Sequence, residues 1–179
     1  MSELDELRQE IRRLADREAI RDVFITFAAA MDGKDWTLLE TIWTEDAIYD
    51  HSAFTWDGLT ENVWRGRADI MKRTIEGVSR HVAAHHMLTN HRMIIDGDRA
   101  RAVVYLHSVH LDDPQRADAH GDHGAWYFAE LARGAAGWRI RWLAHQPVWY
   151  SGLLKPQGPI TPEIVDRVRT FLSAADAPR

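Results

Sequence analysis

Four of the chain's ten histidines fall within eleven residues, in HVAAHHMLTNH from His81 to His91. Imidazole at that density has three uses: ligating a metal, moving protons near neutrality, or solvating a surface. The acid–base use needs a companion. A carboxylate bonded to one ring nitrogen fixes the tautomer and steadies the imidazolium that forms when the other nitrogen takes a proton. Asp32, in AMDGKDW, is a candidate companion. It closes a helical pattern, where the helix dipole is negative and gives a carboxylate no support, so a histidine is a reasonable partner. The plainer alternative is that Asp32 satisfies turn amides ahead of Gly33.

Other histidines permit other drawings. His81 and His85 stand four apart, and DAHGDH offers Asp118, His120, Asp122 and His123, enough to sketch a metal site. Such spacing means little without a helix or strand to fix the ligands. A solvated polar loop is the reading adopted, with no metal and no cofactor expected. His51, near the end of the first strand, either lines a pocket mouth or lies on the surface. There is no cysteine, which removes disulfides, thiolate zinc sites and cysteine nucleophiles together, and no G-x-S-x-G turn to expose a serine.

The elements that must position these groups follow from periodicity. Apolar residues at Leu4, Leu7, Ile11 and Leu14, then at Ile20, Val23, Phe24, Phe27 and Met31, keep helical spacing until the pattern breaks at Gly33. Asp35 can cap a short helix carrying Leu38, Leu39, Ile42 and Trp43, and DAIYDH reads as a first strand. FTWDGLTENVW reads as an aromatic loop, with Phe54, Trp56, Trp64 and Trp149 as candidates for a lid over an apolar substrate. A helix over 67–79 turns Ile70, Met71, Thr74, Ile75 and Val78 inward. Beyond it comes sheet: HHMLTNHRMII and RARAVVYLHSVHL joined at Asp96-Gly97, then GAWYFAEL and WRIRWLAHQPVWY joined through Gly134 and Gly137. Thr161 and Pro162 open a last helix, about 161–175, through Val165, Val168 and Phe171.

Helices first and antiparallel strands afterwards predict an α+β fold, a cone-shaped barrel in which a curved, mostly antiparallel sheet wraps around N-terminal helices and leaves a pocket at its mouth. The 179 residues fit one domain, with a core over about 14–150. Eight tryptophans supply ring surface for an apolar pocket. A net charge of −5 with dispersed basic residues argues against nucleic acid as a partner. No run of about 18 apolar residues occurs, and MSELDELRQE is too charged for a secretory signal, so no membrane association and a cytoplasmic location are expected.

The front block LADREAIRDVFITFAAAMDGKDWTLLETIWTEDAIYD, with this order of elements, resembles the SnoaL-like branch of the nuclear transport factor two-like superfamily, over roughly Leu14 to Tyr150. Within it the chain looks most like the dehydratases and dehydrochlorinases, of the scytalone dehydratase, hexachlorocyclohexane dehydrochlorinase and bile-acid dehydratase kinds. That resemblance implies that Asp32 orients a histidine on a facing strand, that this histidine is His86, and that it removes a carbon-bound proton. Strand parity then sends Leu88 and Asn90 inward with His86, and His85 and His91 outward. Asn90 either hydrogen-bonds a substrate oxygen or is an ordinary polar sheet residue. The same alignment puts Ser108, His110, Tyr127 and His145 on the inner face, where Tyr127 or His145 protonates a leaving hydroxyl or holds a carbonyl oxygen. Tyr49, Phe27 and Leu88 complete the expected substrate-binding set.

The chain departs from the family's helpers. The bile-acid dehydratase has a tyrosine, and the dehydrochlorinase a lysine, where Phe27 stands; the former has an aspartate at the position of Ser108 and an arginine near Pro147, the latter an arginine near Leu143. A retained pair with changed helpers implies a different substrate. The expectation is a cofactor-independent lyase or isomerase acting on a small hydrophobic, oxygenated molecule such as a polyketide, terpenoid, steroid or aromatic precursor. The alternative is a ligand-binding or protein-interaction module of the same fold. A homo-oligomer is expected by analogy.

Overall fold

The structure, a computed structural model, describes residues 2–53, 62–113, 115–116, 118–152 and 162–173. Both apolar stripes of the front half belong to one helix, α1 (Glu3–Gly33). Ser2 caps it, its hydroxyl accepting from the Asp5 N–H while the Asp5 carboxylate accepts from the Ser2 N–H, which satisfies orphan amides of the first turn. At the far end Gly33 stays helical, and Lys34 takes the left-handed conformation with φ 53°. The Lys34 and Asp35 N–H groups donate back to the Met31 and Ala30 carbonyls. Backbone therefore closes the turn that Asp32 was free to close, and its carboxylate is left for another partner.

Asp35 caps α2 (Trp36–Glu40) as expected, accepting from the Leu38 N–H at 2.9 Å. Then come β1 (Trp43–Asp50), β2 (Val63–Arg65), α3 (Arg67–Val78), β3 (Ala83–Asp96), β4 (Arg99–Leu111), β5 (His120–Gly134), β6 (Gly137–Gly152) and α4 (Pro162–Ser173). They form one six-stranded sheet in the order β2-β1-β6-β5-β4-β3, antiparallel except where β1 runs parallel to β6. β2 lies in the stretch expected to be loop; it is held by pairing with β1 rather than by a pattern of its own. Phe54 and Trp56 lie outside the described residues. Trp149 is no lid: a Cβ on Gly124 would meet its indole at 2.1 Å, on the face of β5 opposite to His123.

Period-2 alternation sorts the sheet. Val104, Leu106, Ala125, Tyr127, Ala129 and Leu131 face the α1 stripe of Ile20, Phe24 and Phe27, and Ile70 and Val78 of α3 close the remaining side. Burial of each of the valine, leucine, isoleucine and phenylalanine side chains among them contributes roughly 1.5–3 kcal/mol. On the other face Val103, Phe128 and Ala144 receive Phe171 and Leu172 of α4.

Two local features overturn parity expectations. A bulge between Thr89 and Arg92, with Asn90 at φ 53°, shifts β3 by one residue. His86 and Leu88 point inward before it, but after it the inward positions are odd. His91 accordingly packs against Phe24 at a ring separation of 5.7 Å, and Asn90 is exposed. Likewise DAHGDH is not a solvated loop throughout, because β5 begins at His120 and carries His123 into the interior.

Candidate active site

Between the end of α1, the second half of α3 and the inner face of the sheet lies a cavity of about 140 Å³. Its walls include Met31, Trp64, Leu106 and Val78, two tyrosines, Tyr49 and Tyr127, and six histidines: His51, His81, His86, His110, His123 and His145. The opening histidine cluster contributes only two of the six; strands β4, β5 and β6 and the segment after β1 bring the others.

Asp32 and His86 meet at this cavity. The Asp32 carboxylate accepts from His86 Nδ1 at 2.6 Å and from the His86 backbone N–H at 3.0 Å to each oxygen. One carboxylate thus grips both the ring and the backbone of one residue. With Nδ1 engaged as donor, Nε2 carries the lone pair, and the ring lines the cavity. Phe27 supports it edge-on, with ring centroids 6.5 Å apart. Lys34 fastens the same helix end to the approach to β3, donating from Nζ to the His81 carbonyl at 2.7 Å.

A second pair sits at the rim. His81 Nδ1 is 2.6 Å from Asp112 Oδ1, and His81 also faces the cavity. Its ring lies 4.6 Å from that of His110, which in turn lies 5.3 Å from that of His86. Periodicity offered no signal for this pair, because neither residue lies in a regular element: His81 follows α3 and Asp112 follows β4.

The floor is a chain of buried polar groups. The Ser108 hydroxyl is 3.0 Å from His123 Nδ1, and His123 Nε2 is 3.2 Å from His145 Nε2. The Tyr49 and Tyr127 hydroxyls are 3.2 Å apart. Burial pushes both phenols up, so they stay protonated and able to donate. Burial also pulls the histidines down: His51 to about 3, His110 to about 3 with His86 and His81 adding to the effect, and His123 to about 4, again reinforced by His86. His145 falls well below the ordinary imidazole value for the same reason, with His123 and His51 contributing. At neutral pH this floor is uncharged, a lining of neutral donors and acceptors.

Of the residues expected to form the site, Asp32, His86, Tyr49, Tyr127, His110 and His145 come together here. Phe27 and Ser108 stand one layer behind, against His86 and His123 respectively. Leu88 packs into the apolar core, and Asn90 lies away from the cavity on the bulge; neither lines it. His51 lines the cavity, stacked on Trp64 at 4.4 Å. His123 was missed, though stepping back by twos from Tyr127 through Ala125 reaches it. The groups sketched as metal ligands disperse: His81 turns to the cavity, Asp118 pairs with Arg116 and Asp122 with Ser151. Among the described residues no three His, Asp or Glu side chains converge on one point that could hold a metal ion.

The model of the SnoaL-like domain family matches residues 12–143. The chain belongs to the SnoaL-like domain family. A protein of Mycobacterium tuberculosis, the uncharacterized protein Rv2910c, is 27% identical to this SnoaL-like chain over 140 residues, covering 76% of the chain and 88% of the relative. Among solved structures, an NTF2-like protein with a cystatin-like fold from Novosphingobium aromaticivorans matches with a TM-score of 0.66 and 22% identity, over 82% of this chain and 91% of its own. Hexachlorocyclohexane dehydrochlorinase LinA-type3 from Novosphingobium barchaimii matches with a TM-score of 0.66 and 19% identity, over 86% and 99%. At such identities the structural likeness establishes the fold, a curved open sheet with N-terminal helices, and proteins of this fold include the dehydrochlorinase just named. Among the described residues, no helix of this SnoaL-like chain is long and apolar enough to cross a membrane.

Proposed function

We propose that the chain is a lyase or isomerase that moves a carbon-bound proton in a small hydrophobic, oxygenated substrate. The observation that carries this reading is the Asp32 carboxylate held 2.6 Å from His86 Nδ1, with the ring at the cavity wall. In the proposed step, His86 Nε2 takes a proton from a carbon next to a carbonyl or to a leaving group, and Asp32 stabilises the imidazolium that results. The C–H electron pair then either forms a C=C bond as hydroxide leaves with a proton as water, or forms an enolate that is reprotonated elsewhere. Tyr127, kept protonated by burial and paired with Tyr49, donates to the developing oxyanion or departing hydroxyl. His81, held by Asp112 and separated from His86 by the His110 ring, is positioned to donate, as imidazolium, a proton of its own to a second carbon or to the leaving group. His86 then releases its proton to water and His81 takes one up.

Size narrows the substrate class. A cavity of roughly 150 Å³ accepts a benzene ring, so one of about 140 Å³ suits one ring against His86, with any remainder of the substrate extending outward past the exposed lining residues Arg73 and Arg80. The neutral, aromatic lining favours an uncharged ring ketone or phenol over an anion at the floor.

Deuterium uptake tests the reading without knowledge of the natural substrate. Acetophenone and tetralone are incubated with the protein in heavy water, binding is read by saturation transfer, and exchange at the α-carbon by proton NMR. Uptake above the buffer rate that disappears in His86→Ala is the expected result. A ketone that binds in the cavity yet exchanges at the buffer rate would support a receptor of the same fold and overturn the proposed chemistry.

A further inference from the structure

The first half of α1 carries an apolar stripe that the domain does not use. Leu4, Leu7, Ile11 and Leu14 are 54%, 57%, 58% and 52% exposed, and every residue from Ser2 to Ala15 is exposed. At about 100° per residue, this stripe lies half a helical turn away from the Ile20, Phe24 and Phe27 stripe that faces the sheet. No bending of α1 toward its own core can bury both. The helix leaves the domain at Asp16, which accepts from Trp138 Nε1 at 3.1 Å and pairs with Arg133. What projects beyond is little more than three turns of helix without tertiary cover, a length that is marginal on its own in water.

The stripe has the 3-4-3 spacing of a coiled-coil seam, with Leu4 and Ile11 at a positions and Leu7 and Leu14 at d positions. Charges beside the seam discriminate between orientations. In a parallel, in-register pair Glu3 at g meets Arg8 at e of the other copy, and Glu10 meets the neutral Ala15. An antiparallel pair matching the same seam also brings Glu3 to Arg17, but it sets Arg8 against Arg8 and Glu10 against Glu10. Ile11 at one of the two a positions, with leucine at both d positions, also favours two parallel strands. Glu18 and Arg21 occupy the next a and d positions and bond each other at 2.9 Å within the helix, so the seam ends before them.

We propose that residues 3–17 dock against the same segment of a second copy of this chain, as a short parallel, in-register two-stranded coiled coil that joins two domains through their N-terminal arms.

The test is sedimentation equilibrium of the full chain over roughly 1–100 µM, a range that resolves micromolar dissociation constants. Wild type is expected to dimerise, and Leu7→Gln with Ile11→Gln to weaken the dimer at least about 100-fold while near-ultraviolet circular dichroism of the domain is unchanged. Arg8→Glu weakens it more modestly, and adding Glu3→Arg restores it. Because the chain has no cysteine, Leu7→Cys alone should form an intermolecular disulfide under mild oxidation. A monomeric wild type, an assembly indifferent to both variant sets, or cross-linking found only when Leu7→Cys is mixed with Ile11→Cys would each overturn the proposal. The first leaves the arm to another partner, the second moves the interface elsewhere, and the third makes the pair antiparallel.

Discussion

Two aspartate–histidine pairs face one cavity with the same 2.6 Å separation, yet they are held differently. The Asp32–His86 side chains are 27% and 4% exposed, and Asp32 also accepts from the His86 backbone N–H, so ring and strand are fixed by one group on a helix end. His81 and Asp112 are 14% and 52% exposed, stand just outside α3 and β4, and share only the ring contact. The contrast separates a preorganised base from an adjustable partner. Rigidity is most valuable for the group that takes the proton, where small misplacements cost much rate. Tolerance suits the one that donates a separate proton or admits substrate.

Variants should reproduce that ranking. Asp32→Asn and His86→Ala carry the largest expected effect, a fall in kcat of roughly 100- to 10,000-fold with smaller change in KM. An amide that donates to Nδ1 moves the ring proton to Nε2 and takes the lone pair from the cavity, so Asp32→Asn should cost about as much as loss of the ring. Tyr127→Phe comes next, at about 100-fold in kcat, as expected for loss of one oxyanion donor. His81→Gln should cost about 10-fold, and Asp112→Asn less again, because its partner is already open to water. Equal losses for His81→Gln and His86→Gln, measured side by side, would erase the distinction between the pairs.

A separate effect is on stability, and it comes from the floor. His51, His110, His123 and His145 are held below their ordinary value in the folded chain, while in the unfolded chain they titrate near about 6.5. Between that value and the folded values near 3 and 4 the unfolded state binds more protons. Stability is therefore full above about pH 6.5 and is lost as pH falls toward 4. A thermal midpoint lower by about 5–10 °C at pH 5 than at pH 7 is expected. A flat or rising profile would mean that these rings are charged in the fold.

The same contrast explains what was legible from the chain itself. Asp32 and His86 lie in long periodic segments that place a helix end and a strand, but periodicity alone left Asp32 open as a turn residue, and it was the family resemblance that paired it with His86. Asn90 misled because a one-residue bulge is invisible to alternation and reverses every face beyond it, which is also why His91 turned inward. His123 hid in a stretch whose Asp and Gly composition reads as loop until its pairing with β4 and β6 is known. The three residues of β2 gain their strand only from β1. The His81–Asp112 contact spans 31 positions between two segments without a period, and nothing local encodes it. In α1 both stripes were visible, but only their half-turn offset shows that one belongs to the core and the other does not.

The most direct test of His86 as the base needs no substrate: proton–nitrogen correlation NMR of the histidine-labelled chain, with His86 assigned by its loss in His86→Ala. In the neutral ring the proton should sit on Nδ1 and the lone pair on Nε2, and Asp32→Asn should reverse them. A wild-type ring protonated at Nε2 and bare at Nδ1 would contradict the assignment, because no lone pair would face the cavity to take the proton.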